Sequence, residues 1–198
     1  MMLKETTRNG TQTTEHFDYN LENRLSRHTR TTVRDAETIV SITDYTYNHE
    51  GIKVKSETVV TVDGVPEPDL EETRVFLVDS YNHTGYAQVI EERNGVGPEP
   101  VTSYTIGDDV LSQIRNGLGP EYLLYDGHGS TRQLADATGA LTAQYAYDAY
   151  GVMLGQTAGS QEKQATSLLY CGEQFDYVSG ASKGIDEAGR SVKAGFSR

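Results

Sequence analysis

The sequence contains no Trp, only one Cys, only five Pro and no long apolar run. The single cysteine, Cys171, excludes a disulfide framework and a cysteine-rich metal site within the chain. No stretch approaches the roughly 20 apolar residues of a membrane-spanning helix, and the first residues lack the apolar core of a secretory signal. Basic residues are too few to balance the acidic ones, and the net charge of -12 argues against a nucleic-acid partner.

Tyrosine and glycine are abundant instead, at 13 and 20 residues. Tyr buries a ring but keeps a polar tip, which suits a half-exposed sheet face. Apolar and polar residues alternate in "ETIVSITDYTYNHEG" and "GIKVKSETVV", and Asp63-Gly64 and Asn94-Gly95 are dipeptides typical of hairpin turns. We predict an all-β chain of repeated antiparallel β-hairpins. The segment "DDVLSQIRNGLG" fits either a short helix or a strand, and we favour the strand; residues 155–169 are predicted to be a surface loop.

Four segments share an aromatic residue, then Asp or Asn, then a turn and a strand: "FDYNLENRLSRHTR", "YTYNHEGIKVKSE", "YLLYDGHGSTRQLAD" and "YAYDAYGVMLG". The "FLVDSYNHTGYAQVIEE" segment is interpreted as a degenerate copy around Phe76 and Asp79. A spacing of roughly 20 to 30 residues indicates stacked hairpins that cannot bury their faces singly. Gly at the last motif position supplies the turn geometry, Asp or Asn accepts backbone N–H groups, and the Tyr ring packs on a neighbouring hairpin. The predicted structural motif residues are Tyr125, Asp126, Gly129, Tyr147, Asp148 and Gly151.

Catalytic alternatives fit these residues poorly. Asp126 and Asp148 would form an acid–base couple only if their hairpins aligned, and a catalytic pair is rarely copied with every turn. Asp126, His128 and Ser130 lie too close in sequence for a relay, and no Gly-x-Ser-x-Gly elbow is present. His128 has no Cys or His neighbour at ligand spacing. We therefore predict no catalytic, cofactor-binding or metal-binding residue. Asn82-His83-Thr84 matches a glycosylation acceptor only weakly.

The stretch "YDGHGSTRQLADATGALTAQYAYDAYG" strongly resembles the YD-repeat (Rhs) proteins, at their Rhs repeat-associated core. "LLYCGEQFDYVSG" resembles the segment that follows it, with Gly172, Glu173 and Gln174 in place of the family's Gly-Glu-Gln. The likeness is specific over 120–180 and extends over 15–119 only as degenerate repeats. It implies a spiralling sheet that closes into a hollow shell, which encloses a toxin in bacterial members and serves adhesion in the animal teneurins. Residues 1–14 are predicted to be a flexible segment and 181–198 a divergent, disordered tail.

The family's Asp-Pro-x-x-Gly-Arg-Phe motif, which contributes to self-cleavage in several members, has only a faint echo here in Asp186, Gly189 and Arg190. The resemblance therefore implies a non-catalytic fragment of a shell from a toxin-delivery system, secreted or at the cell surface. The alternatives are an adhesion or carbohydrate-binding module and a degenerate self-cleaving aspartyl protease. The expected partner is the remainder of a shell or another β-edge, with a toxin cargo or a glycan as further candidates; neither nucleic acid nor membrane insertion is expected.

Overall fold

The structure, a computed structural model, describes residues 2–8, 10–95, 100–151, 153–158 and 165–172. It is an all-β chain of antiparallel strands, which confirms the predicted fold class. Its regular elements are β1 (Met2–Arg8), β2 (Thr11–Tyr19), β3 (Leu25–Arg34), β4 (Glu37–Tyr47), β5 (Lys53–Val62), β6 (Val65–Pro66), a 3-10 helix (Pro68–Leu70), β7 (Glu72–Asp79), β8 (Gln88–Asn94), β9 (Pro100–Ile106), β10 (Val110–Arg115), β11 (Glu121–Tyr125), β12 (Thr131–Asp136), β13 (Leu141–Tyr147), β14 (Met153–Ala158) and a second 3-10 helix (Tyr170–Gly172).

The strands follow one another through the sheet in sequence order, apart from the short β6, which pairs with β5 alone. The chain divides into two compact units, one within Met1–Val75 and the other within Phe76–Tyr177. β1 to β6 lie in the first unit and β8 to β14 in the second, and the boundary between Val75 and Phe76 falls within β7. Each unit is thus a series of hairpins in which neighbours in sequence are neighbours in the sheet.

The first unit begins with a regular hairpin. β1 pairs with β2 over its whole length, and Lys4 Nζ lies 2.9 Å from Glu15 Oε2 across the pair. The prediction that residues 1–14 form a flexible segment is therefore wrong. A Thr-rich run supports a strand even though it carries few apolar side chains, because the backbone ladder and cross-strand pairs hold it.

The second unit has an apolar core on one face of its sheet. Leu123, Leu134 and Ala143 lie side by side in register on β11, β12 and β13, and all three are buried. The residues that cover them come from the segment 165–172, which we call the strap. Leu169 and Leu168 of the strap are 2% and 9% exposed and belong to the same core.

The predicted surface loop over 155–169 is wrong at both of its ends. Residues up to Ala158 belong to β14, and Ala165 to Leu169 are buried against the sheet. The small and polar composition of this stretch suggested solvent exposure. A single sheet cannot bury its apolar face by itself, and the two leucines of the strap supply the missing layer.

Candidate functional site: the hairpin joints

Five loops between consecutive strands have one geometry, and we call each of them a joint. A joint begins with a register shift, so that its first residue pairs with the residue six positions later. The Tyr of the sequence motif is that first residue in four of the five cases. The five pairs are Tyr19↔Leu25, Tyr47↔Lys53, Tyr125↔Thr131, Ala135↔Leu141 and Tyr147↔Met153.

The second residue of each joint is Asp or Asn, and its side chain closes the loop. In the joint after Tyr125, Asp126 Oδ1 accepts the backbone N–H of His128 at 2.9 Å and of Ser130 at 3.1 Å. The backbone carbonyl of Asp126 accepts the N–H of Gly129 at 3.0 Å. Gly129 has a φ of 75°, a left-handed conformation that favours glycine.

The joint after Tyr47 repeats this arrangement with an amide in place of the carboxylate. Asn48 Oδ1 accepts the N–H of Glu50 at 3.0 Å and of Ile52 at 2.9 Å, and Gly51 has a φ of 82°. Asn and Asp are interchangeable here because only one side-chain oxygen is required. The joints after Tyr19, Ala135 and Tyr147 are closed in the same way, by Asn20, Asp136 and Asp148.

Two of the joint carboxylates, Asp126 and Asp136, are held in their ionised form. Although burial opposes it, hydrogen bonds from the N–H groups of His128 and Ser130 and from Arg132 hold the pKa of Asp126 below its ordinary value. The Thr138 hydroxyl and neighbouring backbone N–H groups lower the pKa of Asp136. A carboxyl that acts as a general acid near neutral pH needs a raised pKa, so both shifts run against that role.

Two of the four tyrosines that open joints, Tyr47 and Tyr125, reach back to the preceding strand. The Tyr47 hydroxyl donates to the carbonyl oxygen of Leu25 at 2.7 Å, and the Tyr125 hydroxyl donates to that of Val110 at 2.8 Å. Leu25 and Val110 are the first residues of β3 and β10. Burial raises the pKa of the Tyr125 hydroxyl, which therefore remains a proton donor. Each ring thus ties the end of one strand to the start of its neighbour.

The joint glycines also make room for other side chains. A Cβ on Gly51 would lie 2.0 Å from the guanidinium of Arg24, which is stacked over the Tyr47 ring at 5.9 Å. A Cβ on Gly151 would lie 2.6 Å from the ring of Tyr170. These two glycines are therefore required for close approach as well as for backbone geometry.

Tyr170 of the strap packs at the joint after Tyr147. Its ring meets that of Tyr147 edge to face at 5.6 Å between centroids, and its hydroxyl donates to the carbonyl oxygen of Ala149 at 3.0 Å. Arg132 lies over the Tyr147 ring at 5.3 Å. The strap, through Tyr170, and β12, through Arg132, therefore both contact the Tyr147 ring that opens this joint.

Two turns of this kind were missed in the sequence. The joint at Asp136 opens with Ala135 rather than Tyr, so the aromatic signal is absent. In the interpreted degenerate copy, Asp79 Oδ1 accepts the N–H of Tyr81 at 2.9 Å, and a second turn of this kind follows: Asn82 Oδ1 accepts the N–H of Thr84 at 3.0 Å, and Gly85 has a φ of 74°. The signal common to both is Asp or Asn three residues before Gly.

The predicted motif residues of the core-like segment are placed only in part. Gly172 ends the second 3-10 helix, whereas Glu173 and Gln174 lie outside the described residues, as do Asp186 and the predicted tail. The rejected relay has no relay geometry: Asp126 bonds the backbone of His128 and Ser130, and the Ser130 hydroxyl accepts the N–H of Cys171 at 3.0 Å.

No group of three His, Cys, Asp or Glu side chains within the described ranges is placed to hold a metal ion. Among those same residues, no helix has the length and apolarity needed to cross a membrane.

No family model matches the chain, and no curated protein matches it. Among solved structures, one titled "Crystal Structure of TcdB2-TccC3-Cdc42" is similar, with a TM-score of 0.45 and 15% sequence identity. The match covers 86% of this chain and 7% of that chain, so this chain spans a small part of that protein's length. Likeness at this identity and TM-score supports no assignment of function.

Proposed function

We propose that the chain is a non-catalytic structural part of an Rhs-type YD-repeat shell, of the kind that encloses a toxin in bacterial intercellular competition. The observation that supports this function is the repetition of one joint geometry at five places. Three of the joints, at Tyr47, Tyr125 and Tyr147, carry the complete aromatic, Asx and Gly pattern that resembles the YD motif. A wall built from stacked hairpins needs such a repeated connection.

The chemistry of the joints also favours a structural role. Their side-chain oxygens are engaged by backbone N–H groups, and two of their tyrosine hydroxyls bond carbonyl oxygens of neighbouring strands. A catalytic group must instead be free to meet a substrate or a proton. The polar groups of the motif serve the turn itself, which explains why they recur with it.

Edge strands give a physical reason for a partner. Within the described residues, β1 pairs with β2 alone and β14 with β13 alone. An edge strand presents backbone N–H and C=O groups that pair readily with another strand. In the proposed shell these edges continue into further hairpins, and the enclosed cargo is a toxin domain.

The test is the association state of the isolated chain, measured by size-exclusion chromatography with light scattering over a range of concentrations. We expect a discrete oligomer or concentration-dependent association. Proline variants at Thr6 and, separately, Thr7 provide a matched pair, since their N–H groups point to opposite sides of β1. The proline at the outward N–H should reduce association and leave β-sheet circular dichroism intact.

A monodisperse monomer with a cooperative thermal melt would contradict the shell fragment. It would favour instead a self-contained adhesion or carbohydrate-binding module, to be examined with a glycan-binding screen. Intact mass spectrometry of the same sample tests the remaining alternative. Self-cleavage that is abolished by Asp186→Asn would revive the aspartyl protease, whereas a stable intact mass supports the non-catalytic function.

A further inference from the structure

The strap is held mainly through its own backbone. The N–H of Ala165 donates to the Tyr145 hydroxyl at 3.0 Å, and Gln113 Nε2 donates to the carbonyl oxygen of Ala165 at 2.6 Å. Gln113 and Tyr145 lie on β10 and β13, so these two bonds attach the start of the strap to separate strands.

The end of the strap is bound in the same manner. Thr131 donates twice, from Oγ1 to the carbonyl oxygen of Leu168 at 2.7 Å and from its N–H to that of Leu169 at 2.9 Å. The N–H of Cys171 donates to the Ser130 hydroxyl at 3.0 Å. Bonds of this kind recognise a peptide backbone, whatever side chains it carries.

Three strap side chains add sequence preference. Leu168 and Leu169 enter the apolar core, where Leu169 is 2% exposed. The Ser167 hydroxyl lies 2.6 Å from the Tyr104 hydroxyl and 2.5 Å from Glu92 Oε1, and all three residues are buried. The sheet therefore presents a polar receptor for Ser next to an apolar one for two leucines.

The receptors themselves are unusual for a packed core. Gln113 and Thr131 are both 0% exposed, although apolar side chains of similar size would cover a strap without the cost of burying polar groups. Gln113 Nε2 also donates to Glu121 Oε2 at 3.0 Å, and the bonds that Gln113 and Thr131 make to the strap backbone offset a further part of the cost of their burial. A sheet face that needed only an apolar covering layer would not require these buried polar side chains.

We propose that this face of the second unit is a binding site for a short peptide and that the strap is its intramolecular ligand. The ligand class is a short segment with a Ser-Leu-Leu core and a following Tyr that begins a 3-10 turn, recognised mainly through its backbone. The site holds the strap by non-covalent contacts strong enough to persist after the chain is cut before Ala165. This inference does not depend on the shell, since the receptors and ligand lie in one unit.

In the experiment, the folded full-length chain is cut between the receptor strands and the strap. Residues 159–164 are replaced by the recognition sequence of a site-specific protease, a change that leaves every strap contact described above in place. After cleavage, gel filtration in native buffer should show the fragment that begins at Ala165 eluting with the rest of the chain. A fluorescent synthetic peptide of residues 165–172 should then exchange into the site and be detected by polarisation.

Matched variants distinguish specific peptide binding at this site from non-specific adsorption. Gln113→Ala and Thr131→Val each remove a hydrogen bond to the strap backbone and should weaken peptide binding about tenfold or more. Gln144→Ala and Thr157→Val change the same residue types at exposed positions on β13 and β14 and should leave binding unchanged. A synthetic peptide in which Leu169 is replaced by Ala should lose more binding affinity than the parent peptide loses with either receptor variant.

Three results would overturn the proposal. The first is release of the fragment on cleavage while the remainder keeps its β-sheet circular dichroism. The second is precipitation of the cut chain, which would make the strap an inseparable part of the fold. The third is retention that neither the receptor variants nor excess synthetic peptide affects, which would locate the attachment beyond residue 172.

Discussion

Two requirements meet at the glycine of a joint: a left-handed backbone and room for a neighbouring side chain. Gly139 and Gly151 separate the two, because both have a positive φ, of 85° and 83°. A Cβ on Gly139 meets nothing within 4 Å, whereas one on Gly151 lies 2.6 Å from the Tyr170 ring. We expect Gly139→Ala to cost about 1 kcal/mol of unfolding free energy. Gly151→Ala should cost clearly more, as measured by urea denaturation.

A double variant identifies the source of the additional cost. When Tyr170→Ala is already present, the loss of unfolding free energy caused by Gly151→Ala should fall to roughly that of Gly139→Ala, because the aromatic ring that would clash with the new Cβ is absent. If the excess cost of Gly151→Ala persisted without the ring, close packing by Tyr170 would not be the reason for this glycine.

The joint aspartates provide the second prediction at the residue scale. Asp148 Oδ1 accepts the N–H of Tyr150 at 2.8 Å, the same bond that Asn20 and Asn48 make in their own joints. Asp148→Asn should therefore change the unfolding free energy little, whereas Asp148→Ala should lower it by about 1 kcal/mol. Chemical denaturation of both variants checks this. Equal losses from Asn and Ala would show that the negative charge, not the acceptor oxygen, matters.

At the scale of elements, the sequence predicted what local chemistry determines. Alternation predicted the strands, and the aromatic, Asx and Gly pattern marked the joints at Tyr47, Tyr125 and Tyr147. The joint at Asp136 was missed because its first residue is Ala135, and the register shift that precedes each joint has no signal in composition. The strap was missed for a different reason. Its burial depends on receptors far away in sequence, such as Gln113, 52 residues before Ala165.

The turn between β3 and β4 was also missed, and it yields a prediction for that hairpin. Arg34 pairs with Glu37, so Asp35 and Ala36 form a two-residue turn, with φ values of 49° and 69°. Ala in this conformation is strained, and such turns favour Gly at the second position. Ala36→Gly should raise the unfolding free energy by about 1 kcal/mol.

A control for this variant lies on β13. Ala146 is an exposed strand residue, and Ala146→Gly should destabilise the chain by roughly 0.5–1 kcal/mol, because glycine gains more freedom on unfolding. Thermal melts of the two variants should therefore shift in opposite directions. Two downward shifts would mean that the turn does not require glycine-like geometry.

At the scale of the whole molecule, the many carboxyl groups make the stability of the fold depend on pH. Hydrogen bonds and nearby cations lower the pKa values of several carboxyls in the folded chain; they are Glu15, Asp44, Glu121, Asp126 and Asp136. The unfolded chain binds protons at these groups at higher pH than the folded chain does. Stability is therefore present above the unfolded-state pKa values and is lost as the pH falls.

Glu15 makes the largest contribution that can be isolated. His28 Nε2, 3.5 Å from Glu15 Oε1, and the Lys4 ammonium, 2.9 Å from Oε2, hold the pKa of Glu15 at about 2, although its burial acts in the opposite direction. Because the ordinary value is 4.5, the ionised Glu15 stabilises the folded chain at pH 7, and this contribution is lost between about pH 4.5 and about pH 2.

Urea denaturation over a pH series, with Glu15→Gln compared with the parent chain, tests this contribution directly. Glu15→Gln should be less stable than the parent at pH 7, and the difference should close as the pH falls below 4.5, because the parent loses its carboxylate there. Glu5→Gln, at an exposed position on β1, is the control and should follow the parent throughout. A gap between Glu15→Gln and the parent that stayed constant down to pH 2 would mean that shape and packing, not the carboxylate charge, account for the role of Glu15. The polar interior of the first unit would then be held by contacts that do not titrate.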